Sequence, residues 1–320
     1  MEAYAKRIER EALKYSAQEV KSIYFGGGTP SSLPTALLTS LLGSLLKRFP
    51  CRGEITIEAN PATVSPESLS ALRNAGFNRI SIGVQSLSDR DLSLLERLHN
   101  AADAVKAIRD AKNAGFDNIS ADVMFGLPDQ TAESVAQTVE TLLSLPITHI
   151  STYSLSIEEG TPFAKRSFAL PDEEKEREMY RTIQSICKEH GFLHYEISNF
   201  ALPDFESVHN SHYWECGEYI GLGAGAHGFY GGERYANGED IDFYLNAENP
   251  VVDKSVLTEK DKKEEYYMLG LRMQKGVKDD GNPNIPRLIK DGLLEKDGDF
   301  VRLTERGLDI ANYVICELFT

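Results

Sequence analysis

Three glycines and a threonine, Gly26–Gly28 and Thr29 of the stretch FGGGTPS, follow a β-like run, SIYF, and precede a helix-like run, ALLTSLLGSLLKRF. Glycines at the end of a strand let a partner approach the backbone closely, because no Cβ stands in the way. Polar groups recur at the same place in later units: Glu58 and Asn60, Gln85 and Ser86, Asp122 within its strand, and Ser154 to Glu158. Any one of them alone reads as an ordinary turn residue. Their recurrence in consecutive units is what a shared pocket at the C-terminal ends of parallel strands produces. A carboxylate inside a strand, such as Asp122, needs a partner in any case.

Phosphate is the usual guest of a glycine-rich turn between strand and helix, and the pattern here argues against it. FGGGTPS lacks the GK[ST] ending of a P-loop, and no G-x-G-x-x-G opens a helix there. GLGAGAHG, residues 221–228, lacks the strand-turn-helix context with an acidic residue about 20 positions on.

The elements that must position these groups repeat from Ser22 to about Leu145: a short β-rich run, a polar or glycine-containing turn, then an amphipathic helix. That alternation reads as parallel βαβ. The strands are SIYF, EITIEA, RISIGV, NISADVMF and HISTYSLSI, with HYEISNF a further strand; Leu37, Leu38, Leu41, Leu42, Leu45 and Leu46 fall on one helix face. Arg97 is read as a residue of the helical run DLSLLERLH, and the N-terminal MEAYAKRIEREALKY as a charged helix. After Pro203 the texture changes to a segment dense in glycine and aromatics. From Thr258 two helices, a short hairpin and a final helix are expected.

The chain of 320 residues is 41% hydrophobic, enough for a sizeable core, and carries a formal net charge of -15. That balance argues against nucleic acid as a partner. The C-terminal segment is no exception, with 11 Lys/Arg against 13 Asp/Glu. No apolar run approaches the ~20 residues needed to span a bilayer, and no signal peptide is evident, so a cytoplasmic location is expected. Cys51, Cys187, Cys216 and Cys316 are far apart and show none of the short spacings of metal sites.

FGGGTPS, IEANP, RISIGVQS, ERLH, DVMFGLPDQT, YSLSIEEGTPF, YEISNFA and HNSHYW, in that order along the chain, resemble the radical S-adenosylmethionine proteins of the oxygen-independent coproporphyrinogen III oxidase family. The last two motifs point to its heme chaperone branch. The resemblance covers essentially the whole chain. It implies an α/β fold: a partial TIM-type (βα)6 radical S-adenosylmethionine barrel missing its first strand, over residues 1–200. Residues 201–257 form a connecting segment with HNxxYW, and 258–320 a small helical, winged-helix-like domain.

The resemblance also implies S-adenosylmethionine contacts at Gly27, Gly28 and Thr29 through the backbone, and at Glu58, Gln85, Arg97 and Asp122, with Ser154 and His227 as looser matches. Arg97 would pair with the ligand carboxylate; Asp122 would balance the sulfonium or bind ribose. Against this stand an ion-paired surface role for Arg97 and a structural hydrogen-bond network for Asp122. His209 of HNSHYW is the candidate heme contact, since imidazole is a natural axial ligand. A lone His in a loop also serves as a plain hydrogen-bonding residue, and Tyr213 and Trp214 read as packing residues.

The implied function is heme binding and delivery to a heme-using enzyme or a membrane-associated complex, with a homodimer also considered. The first alternative is oxidative decarboxylation of coproporphyrinogen III, in which a 5′-deoxyadenosyl radical abstracts hydrogen from a propionate. The second is a cluster-free binding module. A [4Fe-4S] cluster needs the family's CxxxCxxC, which this chain lacks. The expected explanation is a shortened N-terminus, a deficit of roughly 30 residues or one βα unit; the alternative is a paralogue that has abandoned the cluster.

Overall fold

The computed structural model describes the chain except Glu159, Thr161, Pro162, Ser167 and Thr320; three of these belong to the motif YSLSIEEGTPF, whose reading there lies outside the described residues. The chain opens with α1 (Glu2–Ala12) and continues β1 (Val20–Phe25), α2 (Thr35–Arg48), β2 (Cys51–Ala59), α3 (Pro66–Ala75), β3 (Arg79–Gln85), α4 (Asp89–Leu94), α5 (Ala101–Asn113), β4 (Asn118–Phe125), α6 (Ala132–Leu143), β5 (His149–Ser154), α7 (Glu173–Glu189), β6 (Leu193–Glu196) and β7 (Asn199–Ala201). The strands form one seven-stranded sheet in the order β1-β2-β3-β4-β5-β7-β6. From β2 to β5 the observed pairings are parallel, as the βα alternation requires. The result is the curled, incomplete α/β barrel that the repeat pattern predicts.

Both faces of these strands are covered, so they are apolar almost without a break: Ile57, Ile80, Ile82, Val84, Ile119, Ala121, Val123 and Ile150 are all essentially inaccessible. Leu38, Leu41, Leu42 and Leu45 bury the predicted face of α2. Side chains that satisfy the first free N–H groups start the helices: Ser65 and Ser68 on α3, Asn100 and Asp103 on α5, Thr131 and Ser134 on α6 are reciprocal caps.

Two details differ from the sequence reading. HYEISNF is not one strand but an antiparallel pair, β6 and β7, with β7 inserted between β5 and β6. The chain reverses at Ile197–Ser198 because their carbonyls are taken by other elements: Tyr180 Oη donates to Ile197 O, and the Thr152 N–H to Ser198 O at 2.7 Å. Arg97 lies beyond α4, in a turn where Glu96 has φ +54° and the Arg97 N–H bonds Leu92 O.

The second part of the chain comprises α8 (Val208–Trp214), β8 (His227–Tyr230), β9 (Glu233–Asn237), α9 (Ile241–Asn246), β10 (Val251–Val256), α10 (Glu259–Gly270), β11 (Val277–Lys278), α11 (Ile285–Lys290), β12 (Leu294–Asp297), β13 (Phe300–Leu303), α12 (Glu305–Asp309) and α13 (Ala311–Glu317). β10-β9-β8 and β11-β13-β12 are separate three-stranded sheets. The C-terminal helices and hairpin share one core around Tyr267, Leu288, Leu294, Val301 and Val314.

The chain divides into two compact units, one of residues 1–22, 39–53 and 207–320, the other of residues 23–38 and 54–206. Among the described residues no helix is long and apolar enough to cross a membrane.

Candidate functional site

In the barrel unit the strand ends gather a polar group around Glu58. Tyr24 Oη donates to Glu58 Oε1 at 2.7 Å, and the Gly27 N–H to Oε2 at 3.2 Å. Gly26 must be glycine: a Cβ there would stand 2.4 Å from Tyr24 Cε1 and 2.8 Å from Glu58 Oε1. Gly27 has φ +105°, a conformation that favours glycine, whereas a Cβ on Gly28 would meet nothing. Burial raises the Glu58 carboxyl, against the hydrogen bonds from Tyr24 and Gly27 and the field of Arg79. Burial also holds the Tyr24 phenol well above its usual range, so it donates as a neutral hydroxyl.

Asp122 projects from β4 between Ser81 of β3 and Ser151 of β5, its register partner. Ser81 Oγ donates to Asp122 Oδ1 at 2.9 Å. Burial pushes the Asp122 carboxyl up to about 6, with Ser81, Arg79 and Ser151 opposing and Glu58 reinforcing the shift. Arg79 is the buried cation of this group; it is 2% exposed, and its Nε lies 3.8 Å from Glu54 and has no hydrogen-bond partner. Tyr153, raised to about 12 by burial and then by Asp122, feels the same carboxylates.

The other expected positions are placed one by one. Gln85 ends β3 with φ +67°, a conformation that costs a non-glycine residue energy and marks strain at this strand end. Thr29 caps no helix through its side chain; its carbonyl accepts from Ser32 Oγ. Ser154 Oγ donates to Glu176 of α7. Arg97 is exposed.

The remaining two residues lie in the other unit. His227 begins β8 and is exposed, its carbonyl packed so tightly on Gly221 that a Cβ there would come within 1.9 Å. The GLGAGAHG loop is held by a buried carboxylate that sequence reading missed: Glu11 accepts from the Gly223 N–H, Asn237 Nδ2 and Tyr244 Oη. His209 lies on α8. Its Nδ1 is 2.8 Å from Ser22 Oγ, and its Nε2 2.6 Å from Tyr213 Oη, four residues along the same helix face. Ser22, Tyr24 and Ser151 lie outside the quoted motifs; Arg79 and Ser81 lie within RISIGVQS, and Tyr213 within HNSHYW, but sequence reading gave the first two no role and the third only a packing role.

Chemically, buried carboxylates at strand ends can accept from an ammonium or a vicinal diol and balance a sulfonium. Backbone beside the open side of Gly28 can meet a ligand directly. These residues fit S-adenosylmethionine. His209 has a hydroxyl at each ring nitrogen, and its imidazole fits an axial iron ligand once the Tyr213 hydroxyl leaves Nε2. The four cysteines do not fit an iron–sulfur cluster: among the described residues no group of His, Cys, Asp and Glu could hold a metal ion.

A half-barrel of parallel strands with such a polar rim defines a protein of the radical S-adenosylmethionine type, and the Radical SAM superfamily model matches residues 2–142. In structure the chain is similar to coproporphyrinogen III oxidase (HemN) from Escherichia coli, described as a radical SAM enzyme. The TM-score is 0.85 at 22% identity, over 99% of this chain and 82% of that one. In sequence it is 36% identical to the heme chaperone HemW of Lactococcus lactis over 98% of this chain and 88% of the relative, and 37% identical to that of Bacillus subtilis over 98% and 90%. The chain belongs to the HemW family of radical SAM proteins.

Proposed function

We propose that this protein binds heme through His209 and passes it on, in the cytoplasm, to a heme-dependent enzyme or a membrane-associated complex. The observation that carries the reading is the hydrogen bonding of His209: Ser22 engages Nδ1 and the Tyr213 hydroxyl lies 2.6 Å from Nε2, so that Nε2 is the nitrogen iron would take on displacing that hydroxyl. HemW relatives named as heme chaperones support it.

In the same reading the barrel unit holds S-adenosylmethionine. Glu58 and Asp122 take its cationic and hydroxyl groups, Gly27, Gly28 and Thr29 line its approach, and Gln85, Arg97 and Ser154 are further contacts; His227 belongs to the other unit and is left out of this site. Radical chemistry from that ligand needs a cluster whose thiolates are not among the residues of this chain. The chain's own part is to bind, orient and shield. A second copy of the chain is a further partner to be sought by sedimentation.

Titration of the chain with ferric heme, followed in the Soret region, tests the reading. Saturable one-to-one binding is expected, with His209→Ala shifting the band and weakening binding about tenfold or more, or ~1.4 kcal/mol. Non-saturable binding, or a His209→Ala spectrum and affinity equal to the parent, refutes it. Formation of porphyrinogen oxidation product under anaerobic conditions would instead indicate an oxidase.

A further inference from the structure

A cavity of about 340 Å³ opens beside α8, lined by Tyr213, Trp214, Cys216, Tyr219, Met268 and Leu269, with Arg234 and Glu265 also on its wall. His209 is not among its lining residues, because Tyr213 stands between. The Tyr213 ring packs edge-on against both neighbours, 4.7 Å from the His209 ring and 4.5 Å from the Tyr219 ring.

The two tyrosines are anchored unequally. Tyr219 is fixed through its backbone, which exchanges hydrogen bonds with Phe229, and through its hydroxyl, which accepts from Arg234 Nη1 at 3.3 Å. Arg234 is in turn clamped by two bonds to Glu265, at 2.5 and 2.6 Å. Tyr213 is half-buried, and its hydroxyl bonds His209 Nε2.

We propose that Tyr213 is a removable cap on His209, and that the cavity it walls, bounded by Trp214, Tyr219 and Met268, takes the flat face of an iron tetrapyrrole. The inference rests on the heme reading above and adds the residues that position the ligand and the surface that receives the ring. Ser22 holds the imidazole by Nδ1 and fixes the direction of Nε2. The Tyr213 hydroxyl occupies that nitrogen until the phenol rotates away, and the cavity wall behind it stays in place because Arg234 and Glu265 hold Tyr219. Aromatic rings and a thioether suit a planar, polarizable guest. A cap of this kind lowers apparent affinity by the fraction of molecules in which it is closed.

Ferric heme titration of the full chain and its variants, with the Soret band and low-temperature EPR as readouts, tests this. Tyr213→Phe keeps the ring but not the hydroxyl; it should bind roughly three- to tenfold more tightly with the parent's spectrum, the gain from one neutral hydrogen bond no longer opposing. In a His209→Ala background Tyr213→Phe should bring no gain. Ser22→Ala should weaken binding about tenfold and alter the EPR signature, with Ser22→Thr restoring both. Met268→Trp, which narrows the cavity, should weaken binding while thermal unfolding stays cooperative.

A Tyr213→Phe affinity at or below the parent's, or an equal gain without His209, overturns the cap. An unchanged Met268→Trp affinity overturns the cavity. If the parent binds saturably and only these variants disagree, the heme reading stands and this inference falls; if the parent does not bind, both fall.

Discussion

Asp122 should lower the stability of the fold, and Asp122→Asn is the perturbation that measures by how much. The carboxyl is raised from an ordinary 3.8 to about 6, first by burial. A shift of about 2 units corresponds to about 3 kcal/mol. The folded state therefore keeps a proton that the unfolded chain releases between about pH 4 and pH 6. In that window the native state binds more protons, so this group's contribution to stability falls as pH rises, and the full penalty is present above about 6. Asn cannot ionise. Its carbonyl still accepts from Ser81, and the Ser151 hydroxyl can reverse to accept from the amide; imperfect geometry at one such bond loses about 1 kcal/mol. Urea unfolding at pH 8 should therefore find the variant about 2 kcal/mol more stable than the parent, and at pH 4.5 equal or slightly less stable. Glu58, raised for the same first cause, gives the parent a similar pH slope, which is why the difference between variant and parent, not the slope itself, is the quantity to read. A difference that is the same at both pH values would show that Asp122 is not held protonated by its surroundings, and the argument from burial would fail.

Calorimetry with S-adenosylmethionine should show Glu58→Ala and Asp122→Ala each weakening binding by about 1.5–3 kcal/mol, the range of a charge-assisted hydrogen bond; affinities equal to the parent's would remove both from the ligand site. Gly26→Ala should destabilise the fold by about 1–3 kcal/mol, because its Cβ collides with Tyr24 and Glu58, whereas Gly28→Ala should leave the urea midpoint unchanged and reduce ligand affinity alone. Glu11→Ala, which strands donors from Gly223, Asn237 and Tyr244, should lose at least about 3 kcal/mol, and a smaller loss would mean that water replaces the carboxylate. Reconstitution of this chain with iron and sulfide should leave no broad absorbance near ~400 nm after desalting; a stoichiometric, EPR-active cluster would contradict that expectation.

What could be read from the sequence, and what could not, follows from how far apart the interacting residues lie. Period and turn chemistry are local, so the βα repeat, the buried face of α2 and the polar strand ends were all legible. The glycines of FGGGTPS were legible as a group, but not their separate reasons: a collision with Tyr24 and Glu58 at Gly26, a left-handed φ at Gly27, open space at Gly28. Telling these apart requires the position of a side chain 32 residues away from Gly26 in sequence, Glu58. HYEISNF has the composition of one strand; the reversal inside it is imposed by Tyr180 and Thr152 from other elements, and no signal in the seven residues announces it. The clearest case is His209. Its i,i+4 partner Tyr213 could have been inferred once α8 was granted, since helical spacing puts both on one face. Ser22, 187 residues earlier, could not. That contact engages Nδ1 and leaves Nε2 to Tyr213, so the hydrogen bonding of the motif HNSHYW is set in part by a serine outside it, and a reading confined to motifs misses the residue that orients the imidazole.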